Sequence, residues 1–234
     1  EPTDVRDRRV YNAYITTALK GEPLPLNTHS NDFNNALGHE GGYGMVYYKT
    51  ATMLYNLQYV LGDSLFLATM QHYFHQWKMA HPYFEDFKTS VLQFTKIDLN
   101  WFFDQWFETT KKIDYSVSSI KKIKGTDSFA VRFKRKGQMQ MPIDFTLTEK
   151  NGTQQSYHIP NTWFVKKTDA SILPKWYGWA KLHEDYTAVV KAPSGIEKLV
   201  LDTSNRLADI YPLDNSKTRG LPFRPSVVKL KIDG

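Results

Sequence analysis

The chain contains no cysteine among its 234 residues. Disulfide bonds and zinc sites built from thiolates are therefore excluded for this sequence. A chain without thiols is compatible with oxidising and reducing compartments alike. The composition therefore does not indicate where the protein is located.

Long apolar runs are also missing. No segment approaches the roughly 18 uninterrupted apolar residues that a membrane span needs, so the sequence predicts no membrane-spanning helix in this segment. Hydrophobic residues nevertheless make up 41% of the chain and aromatic residues 15%, which is typical of a packed globular protein. This length is sufficient for one large domain or for two modest ones.

Acidic and basic residues are unevenly distributed. Residues 1–113 contain 10 Lys and Arg against 12 Asp and Glu, whereas residues 114–234 contain 20 against 12. A basic half permits nucleic-acid binding, but no nucleic-acid motif accompanies it. We expect a solvated outer sheet face and no nucleic-acid partner, because the basic residues alternate with apolar ones as strand exteriors do. These residues are Lys121, Lys122, Lys124, Arg132, Lys134, Arg135 and Lys136.

The first half of the chain has helical periodicity. From Tyr47 to Thr110 the apolar residues recur at three- and four-residue spacing, which predicts four amphipathic helices joined by short links. In the last of these helices Asp98 is positioned to cap the N-terminus. Before Tyr47 the sequence predicts a helix over residues 10–19 and a long ordered loop over residues 27–44.

After Lys112 the period of the apolar residues changes to two, which predicts β-strands. The predicted strands cover residues 113–117, 129–133, 139–147, 155–159, 187–190 and 198–201. The pair Asn151-Gly152 predicts a tight hairpin, since these residues supply the positive φ angles of such a turn. The expected class is α+β, with helices over residues 1–113 and an antiparallel β-sandwich over residues 114–234 that ends in an irregular tail.

Five motifs occur in a recognisable order. The first, Tyr47-Tyr48-Lys49-Thr50, opens an amphipathic helix that is followed by Gly62-Asp63. The others are an Ala-His-Pro with Glu-Asp-Phe over residues 80–87, an Asp-Leu with Phe-Phe-Asp-Gln-Trp over residues 98–106, and two strand motifs over residues 141–145 and 199–202. Together they resemble the zinc metallopeptidases of the aminopeptidase N (gluzincin) family, in which a Tyr-x-Lys-Gly helix presents a catalytic tyrosine.

The resemblance implies a thermolysin-like catalytic domain, a peptide substrate and a Zn²⁺ cofactor. In that family a His-Glu-x-x-His helix and a later glutamate bind the zinc and leave one position open for water. Neither His39-Glu40 nor His183-Glu184 continues into this signature, and His72 and His75 lack a partnering carboxylate. We therefore expect no metal site in this chain. The zinc site is expected upstream of residue 1 in a full-length parent, whose N-terminal half of the catalytic domain would be a partner of this chain.

Within the resemblance, Tyr47 matches the catalytic tyrosine. Attack on a peptide carbonyl builds negative charge on its oxygen, and a neutral phenol with a pKa of about 10 can stabilise that charge by donating a hydrogen bond. Tyr48 fills the variable position of the motif, and Lys49 is expected to have a structural role. Thr50 replaces the usual glycine. The alternative interpretation of Tyr47 is an ordinary aromatic core residue.

Two functions from different classes remain open. One is the C-terminal fragment of a zinc aminopeptidase that hydrolyses N-terminal peptide bonds and is inactive by itself; for this function the peptidase class favours a periplasmic or cell-surface location. The other is a stand-alone, non-catalytic binding module of the same architecture. The upstream coding sequence distinguishes the two. The fragment interpretation also predicts that some of the aromatic rings around Trp77, Trp101, Phe103 and Trp106 lie near an exposed surface.

Overall fold

The computed structural model describes residues 3–20, 24–33, 42, 44–177 and 182–218. In these residues helices precede two β-sheets, which confirms the predicted α+β class. The α-helices are α1 (Thr3–Lys20), α2 (Thr50–Leu61), α3 (Asp63–Trp77), α4 (Phe84–Thr95) and α5 (Asn100–Phe107). A π-helical segment over Gly44–Lys49 leads directly into α2, and short 3₁₀ helices cover Ser30–Asp32 and Pro212–Asp214.

The predicted helices after Tyr47 are confirmed, although one capping detail differs. Leu99, and not Asp98, occupies the N-cap of α5. The Asp98 carboxylate instead accepts a hydrogen bond from the backbone N–H of Asn100 at 3.1 Å. The helix predicted over residues 10–19 is present as the longer α1. Of the loop predicted over residues 27–44, the part from residue 34 to residue 41 and residue 43 lie outside the described residues.

Two of the four aromatic rings of which some were expected near an exposed surface are buried. Phe103 and Trp106 are inaccessible to solvent, because Phe103 packs on Phe87 of α4 and Trp106 packs on Tyr14 of α1. The prediction required only some of the four rings to lie near the surface, and Trp77 and Trp101 are half-buried. α5 is surrounded by the neighbouring helices, so its apolar stripe is core and not an outer face.

The sheets contain eight strands within the described residues: β1 (Tyr115–Lys122), β2 (Ser128–Arg135), β3 (Ile143–Glu149), β4 (Gln154–Ile159), β5 (Ser171–Ile172), β6 (Asp185–Lys191), β7 (Ile196–Leu201) and β8 (Ser216–Thr218). One sheet has the order β1-β2-β6 and the other the order β5-β4-β3-β7-β8. Phe133 of the first sheet contacts Phe145 of the second, with ring centroids 4.9 Å apart. The buried faces of the two sheets therefore share a core.

Two features of the second sheet differ from the prediction. β4 and β5 pair in parallel, so this sheet is mixed and not purely antiparallel. The strand predicted over residues 139–147 begins only at Ile143, although Met139 and Met141 before it are buried. Their alternation reflects burial against the core, which an extended segment can achieve without a strand partner.

The hairpin between β3 and β4 forms where it was predicted, with different backbone angles. Gly152 has a φ of +86°, but Asn151 is not among the residues with positive φ. The Gly152 N–H donates to the Glu149 carbonyl at 2.9 Å, and the Asn151 side chain accepts from the Thr153 N–H at 3.0 Å. The hairpin therefore uses one residue with a positive φ, Gly152, and not the two adjacent ones that were predicted.

The basic outer face is also confirmed with one exception. Lys121, Lys122, Arg132 and Lys134 are exposed, whereas Arg135 is buried. The Arg135 guanidinium donates to the Leu182 carbonyl at 3.2 Å. Arg135 and Lys134 lie on opposite faces of β2. The Arg135 side chain is on the buried face, and Lys134 is on the exposed one.

Gly137 is the glycine with the least room for a side chain among those described. A Cβ atom at this position would lie 2.3 Å from the Lys112 carbonyl oxygen and 2.7 Å from the Asp114 nitrogen. Both are backbone atoms, which cannot move aside cheaply. At Gly137 the chain therefore passes in close contact with the backbone of residues 112–114, which precede β1.

We expect Gly137→Ala to lower the free energy of unfolding by about 2 kcal/mol, the usual cost of forcing an extra carbon into a packed site. Urea denaturation of the two proteins measures this. Gly125→Ala is the control, since a Cβ there meets nothing within 4 Å and only the φ of +75° is unfavourable; its cost should be about 1 kcal/mol. Equal stability of Gly137→Ala and the wild type would contradict the expectation.

Candidate functional site

Tyr47 lies in the π-helical segment Gly44–Lys49 that precedes α2. Its side chain is 60% exposed, so the alternative interpretation of Tyr47 as a core aromatic is wrong. Short π-helical turns are rare, and they occur frequently at functional sites. The local backbone therefore presents the phenol at the surface, at the start of a helix that is otherwise largely buried.

Lys49 ends the same segment and is almost completely buried, with only 4% of its surface exposed. Its ammonium group donates a hydrogen bond to the Leu24 carbonyl. Burial lowers the pKa of Lys49 to about 8, because an apolar environment disfavours the charged form. The structural role expected for Lys49 is thus a tether between this turn and the segment around Leu24.

An apolar groove begins close to Tyr47. Thr50 and Leu54, which follow Tyr47 by one and two helical turns, line a cavity of about 370 Å³. The remaining lining residues come from α2, α3, the start of α4 and the residues just before it: Met53, Met70, Tyr73, Pro82, Tyr83, Phe84 and Phe87. A volume of this size lies at the lower end of the range for small-molecule sites, roughly 300–1,000 Å³.

A second cavity of about 390 Å³ extends the groove and shares Met70, Tyr73 and Pro82 with the first. Phe74 lines this second cavity, and Tyr83 lines the first; both are largely exposed. Lys78 is the one charged residue among the residues that line the two cavities. The groove therefore suits an apolar side chain and offers no set of ligands for a metal ion.

The described residues do not fit a zinc ion. Among them, no three histidine, aspartate or glutamate side chains converge so that they could hold a metal. His72 and His75 are exposed, and the His72 ring stacks on Phe94 at 4.6 Å. His39 and Glu40 lie outside the described residues. No chemical step is therefore derived through a metal held by these residues.

A buried polar network that the sequence motifs did not reveal joins α2 to the sheets. The Asp144 carboxylate contacts the His158 ring nitrogen and the Lys166 ammonium, each at 2.6 Å. Lys166 also donates to the Tyr59 carbonyl at 2.8 Å and lies 4.2 Å from the centre of the Tyr59 ring. The Tyr59 hydroxyl in turn accepts from the Asp144 N–H at 2.8 Å.

This network belongs to the junction between the helices and sheets and not to the Tyr47 site. Tyr59 follows Tyr47 by 12 positions, or about 18 Å along a helix. Burial would raise the pKa of Asp144, but the hydrogen bond from His158 and the charge of Lys166 lower it below its ordinary value. In the sequence, only the motif over residues 141–145 pointed to this network. The motif contains Asp144 but neither His158 nor Lys166.

Comparison with known proteins identifies the class of the helical part. Residues 29–106, which include Tyr47, match the model of the Peptidase family M1 domain. This part of the chain is therefore similar to peptidases of this family, which confirms the predicted resemblance for residues 29–106. No curated protein matches the chain.

Among solved structures, one similar chain is aminopeptidase A of Legionella pneumophila, determined in complex with aspartic acid. The two are 13% identical over 71% of this chain, with a TM-score of 0.49. The match covers 17% of the Legionella chain.

None of the helices among the described residues is long and apolar enough to cross a membrane.

Proposed function

We propose that this chain contributes the tyrosine-bearing part of a zinc-dependent aminopeptidase that hydrolyses N-terminal peptide bonds. The observation that carries the proposal is the match of residues 29–106 to the peptidase family M1 model, with Tyr47 inside the matched region. The exposure of Tyr47 on a π-helical turn supports it, because a phenol that acts on a substrate must reach the surface.

The proposed role of Tyr47 is that of an oxyanion donor. When the peptide carbonyl is attacked, negative charge develops on its oxygen, and a fixed O–H group pointing at that oxygen stabilises the transition state. A tyrosine suits this role at neutral pH, since its ordinary pKa of about 10 keeps the hydroxyl protonated. The donor interacts with charge that forms during the reaction, so it acts mainly on turnover.

The zinc ion of the proposed enzyme is assigned to parts of the full-length protein other than the residues described here, since these offer no group of three ligands. The N-terminal half of the catalytic domain is the proposed partner that supplies it. By itself, this chain is proposed to be inactive. A periplasmic or cell-surface location remains part of the proposal.

A non-catalytic binding module is the second candidate, and the apolar groove favours it. Two adjoining cavities with exposed rings at Phe74 and Tyr83 form a surface on which an apolar segment of a partner could dock. Such a module would be complete without a catalytic domain. Its gene would lack a His-Glu-x-x-His segment upstream of the Tyr47 helix.

Metal content distinguishes the candidates. We expect this chain, purified without chelators, to contain far less than stoichiometric zinc and to cleave no aminoacyl amide substrate. A full-length protein that contains the chain should bind zinc, lose activity with a chelator and regain it when zinc is returned. Elemental analysis and activity assays of both proteins measure this. A full-length protein without zinc or activity would favour the binding module, and stoichiometric zinc with activity in this chain would overturn the fragment proposal.

A further inference from the structure

We infer that Lys49 is a positioning residue for Tyr47, because its buried ammonium group fixes the π-helical turn on the Leu24 carbonyl and so fixes the phenol two residues earlier. The inference rests on the proposed role of Tyr47. Lys49 is not itself placed at the reacting atoms. It acts through the backbone of the segment Gly44–Lys49.

The carbonyl that Lys49 binds is itself held in place. The residues that follow Leu24 form hydrogen bonds to the end of α5. The Leu26 N–H donates to the Trp106 carbonyl at 3.4 Å, and the Asn27 N–H donates to the Phe107 carbonyl at 3.2 Å. Leu26 and Trp106 are both buried. The tether therefore connects the Tyr47 turn to the helical core and not to a loose surface segment.

Burying an ammonium group is unfavourable unless the charge gains a specific partner. A methionine at position 49 would fill the same space without this cost. The hydrogen bond of Lys49 therefore fixes the position of the π-helical turn more than it stabilises the fold, because the ammonium N–H groups must point at the Leu24 oxygen. A π-helical turn is rarer than an α-helical one, so a tether at its last residue helps to hold this conformation.

Positioning matters at a site of this kind because catalysis depends on small distances. A misplacement of about 1 Å at a catalytic group can cost roughly a hundredfold in rate. The backbone of the segment Gly44–Lys49 determines where the largely exposed Tyr47 side chain lies. The loss of the tether should therefore lower turnover without much change in substrate affinity.

The test compares Lys49→Met, which keeps most of the apolar side chain and removes the donor, with Lys49→Arg, which keeps the charge and the donor. Amide hydrogen exchange over residues 44–50 is measured in this chain, and kcat and KM are measured in the full-length protein. In Lys49→Met we expect exchange about tenfold faster or more and kcat about ten- to a hundredfold lower, with KM changed by less than about twofold. Lys49→Arg should restore much of both.

Lys112→Met is the matched control, since Lys112 also donates to a backbone carbonyl, that of Ala18. It should reduce stability without altering exchange over residues 44–50 or kcat. If Lys49→Met does not fold, the shorter Lys49→Leu, which also removes the donor, replaces it. Unchanged exchange over residues 44–50 in a folded variant, or an equal loss of kcat in Lys112→Met, would overturn the inference. Faster exchange together with a normal Tyr47→Phe enzyme would instead overturn the proposed role of Tyr47 and leave the tether in place.

Discussion

Tyr47→Phe in the full-length protein is expected to reduce kcat by about a hundredfold or more, equivalent to about 3 kcal/mol of transition-state stabilisation. The substitution keeps the aromatic ring and removes only the hydroxyl. KM should change much less, because the donor acts on charge that develops during the reaction. Steady-state kinetics on an aminoacyl amide substrate measure both constants. The stability of the chain should be nearly unchanged, since the side chain is largely exposed.

Tyr48→Phe is the control for this prediction. Tyr48 is the neighbouring residue of the same π-helical segment and is partly buried. Tyr48→Phe likewise removes only a hydroxyl, but Tyr48 occupies the variable position of the motif. We expect kcat within about threefold of the wild type, the scale of a surface substitution that disturbs only packing. Equal losses of kcat at the two positions, or normal turnover in Tyr47→Phe, would show that Tyr47 is not the oxyanion donor.

Asp144→Asn is expected to lower the free energy of unfolding at neutral pH by about 3–5 kcal/mol, the typical effect of removing one partner of a buried ion pair. The neutral amide would leave the Lys166 ammonium, which is mostly buried, without its counter-ion. It would also disturb the bond to His158, whose side chain is 2% exposed. Equilibrium denaturation in urea measures the loss. Lys166→Met added to Asp144→Asn should recover part of it, since the unpaired charge is then gone.

The effect of Asp144→Asn should depend on pH in a defined direction. The folded-state pKa of Asp144 is lowered below its ordinary value, so its ionised form stabilises the folded protein. That contribution is fully present above the ordinary pKa of an aspartate, about 4, and is lost as the pH falls through the lower folded pKa. The difference between the wild type and Asp144→Asn should therefore be large at pH 7 and shrink in strong acid.

Asp104→Asn provides the matched control for an exposed pair. Asp104 pairs with Lys88 at 2.6 Å, but its side chain is 58% exposed. Water screens such a pair, so we expect a loss of less than about 1 kcal/mol. Similar losses in Asp104→Asn and Asp144→Asn would contradict the assignment of the Asp144 network as the junction between the helices and sheets.

Local patterns in the sequence were sufficient for the elements themselves. The stripe of Phe102, Phe103 and Trp106 predicted α5, and the alternation of Phe129, Val131 and Phe133 predicted β2, because the period of apolar residues reflects the repeat of a helix or a strand. The Asn151-Gly152 pair located a hairpin for the same reason: a turn depends on the backbone preferences of a few adjacent residues. The Tyr47 motif located the candidate site, again from residues that lie next to one another.

What a residue contacts across the fold was decided only by tertiary structure. Trp106, one of four rings of which some were expected near an open face, is buried, because α1, far away in sequence, packs over α5. Asp144 meets partners 14 and 22 residues further along the chain. The short β5 pairs in parallel with β4, and nothing in its sequence specifies that direction.

The sequence by itself therefore determined the α+β order of elements, the absence of thiol chemistry and the position of the tyrosine motif. These properties follow from the identity and spacing of neighbouring residues. The tertiary structure decided that Tyr47 is exposed while Lys49, two residues later, is buried on the carbonyl of Leu24. It also decided that an apolar groove opens between α2, α3 and α4, with Thr50 among its lining residues. Burial and long-range hydrogen bonds depend on how whole elements dock, which no local pattern encodes.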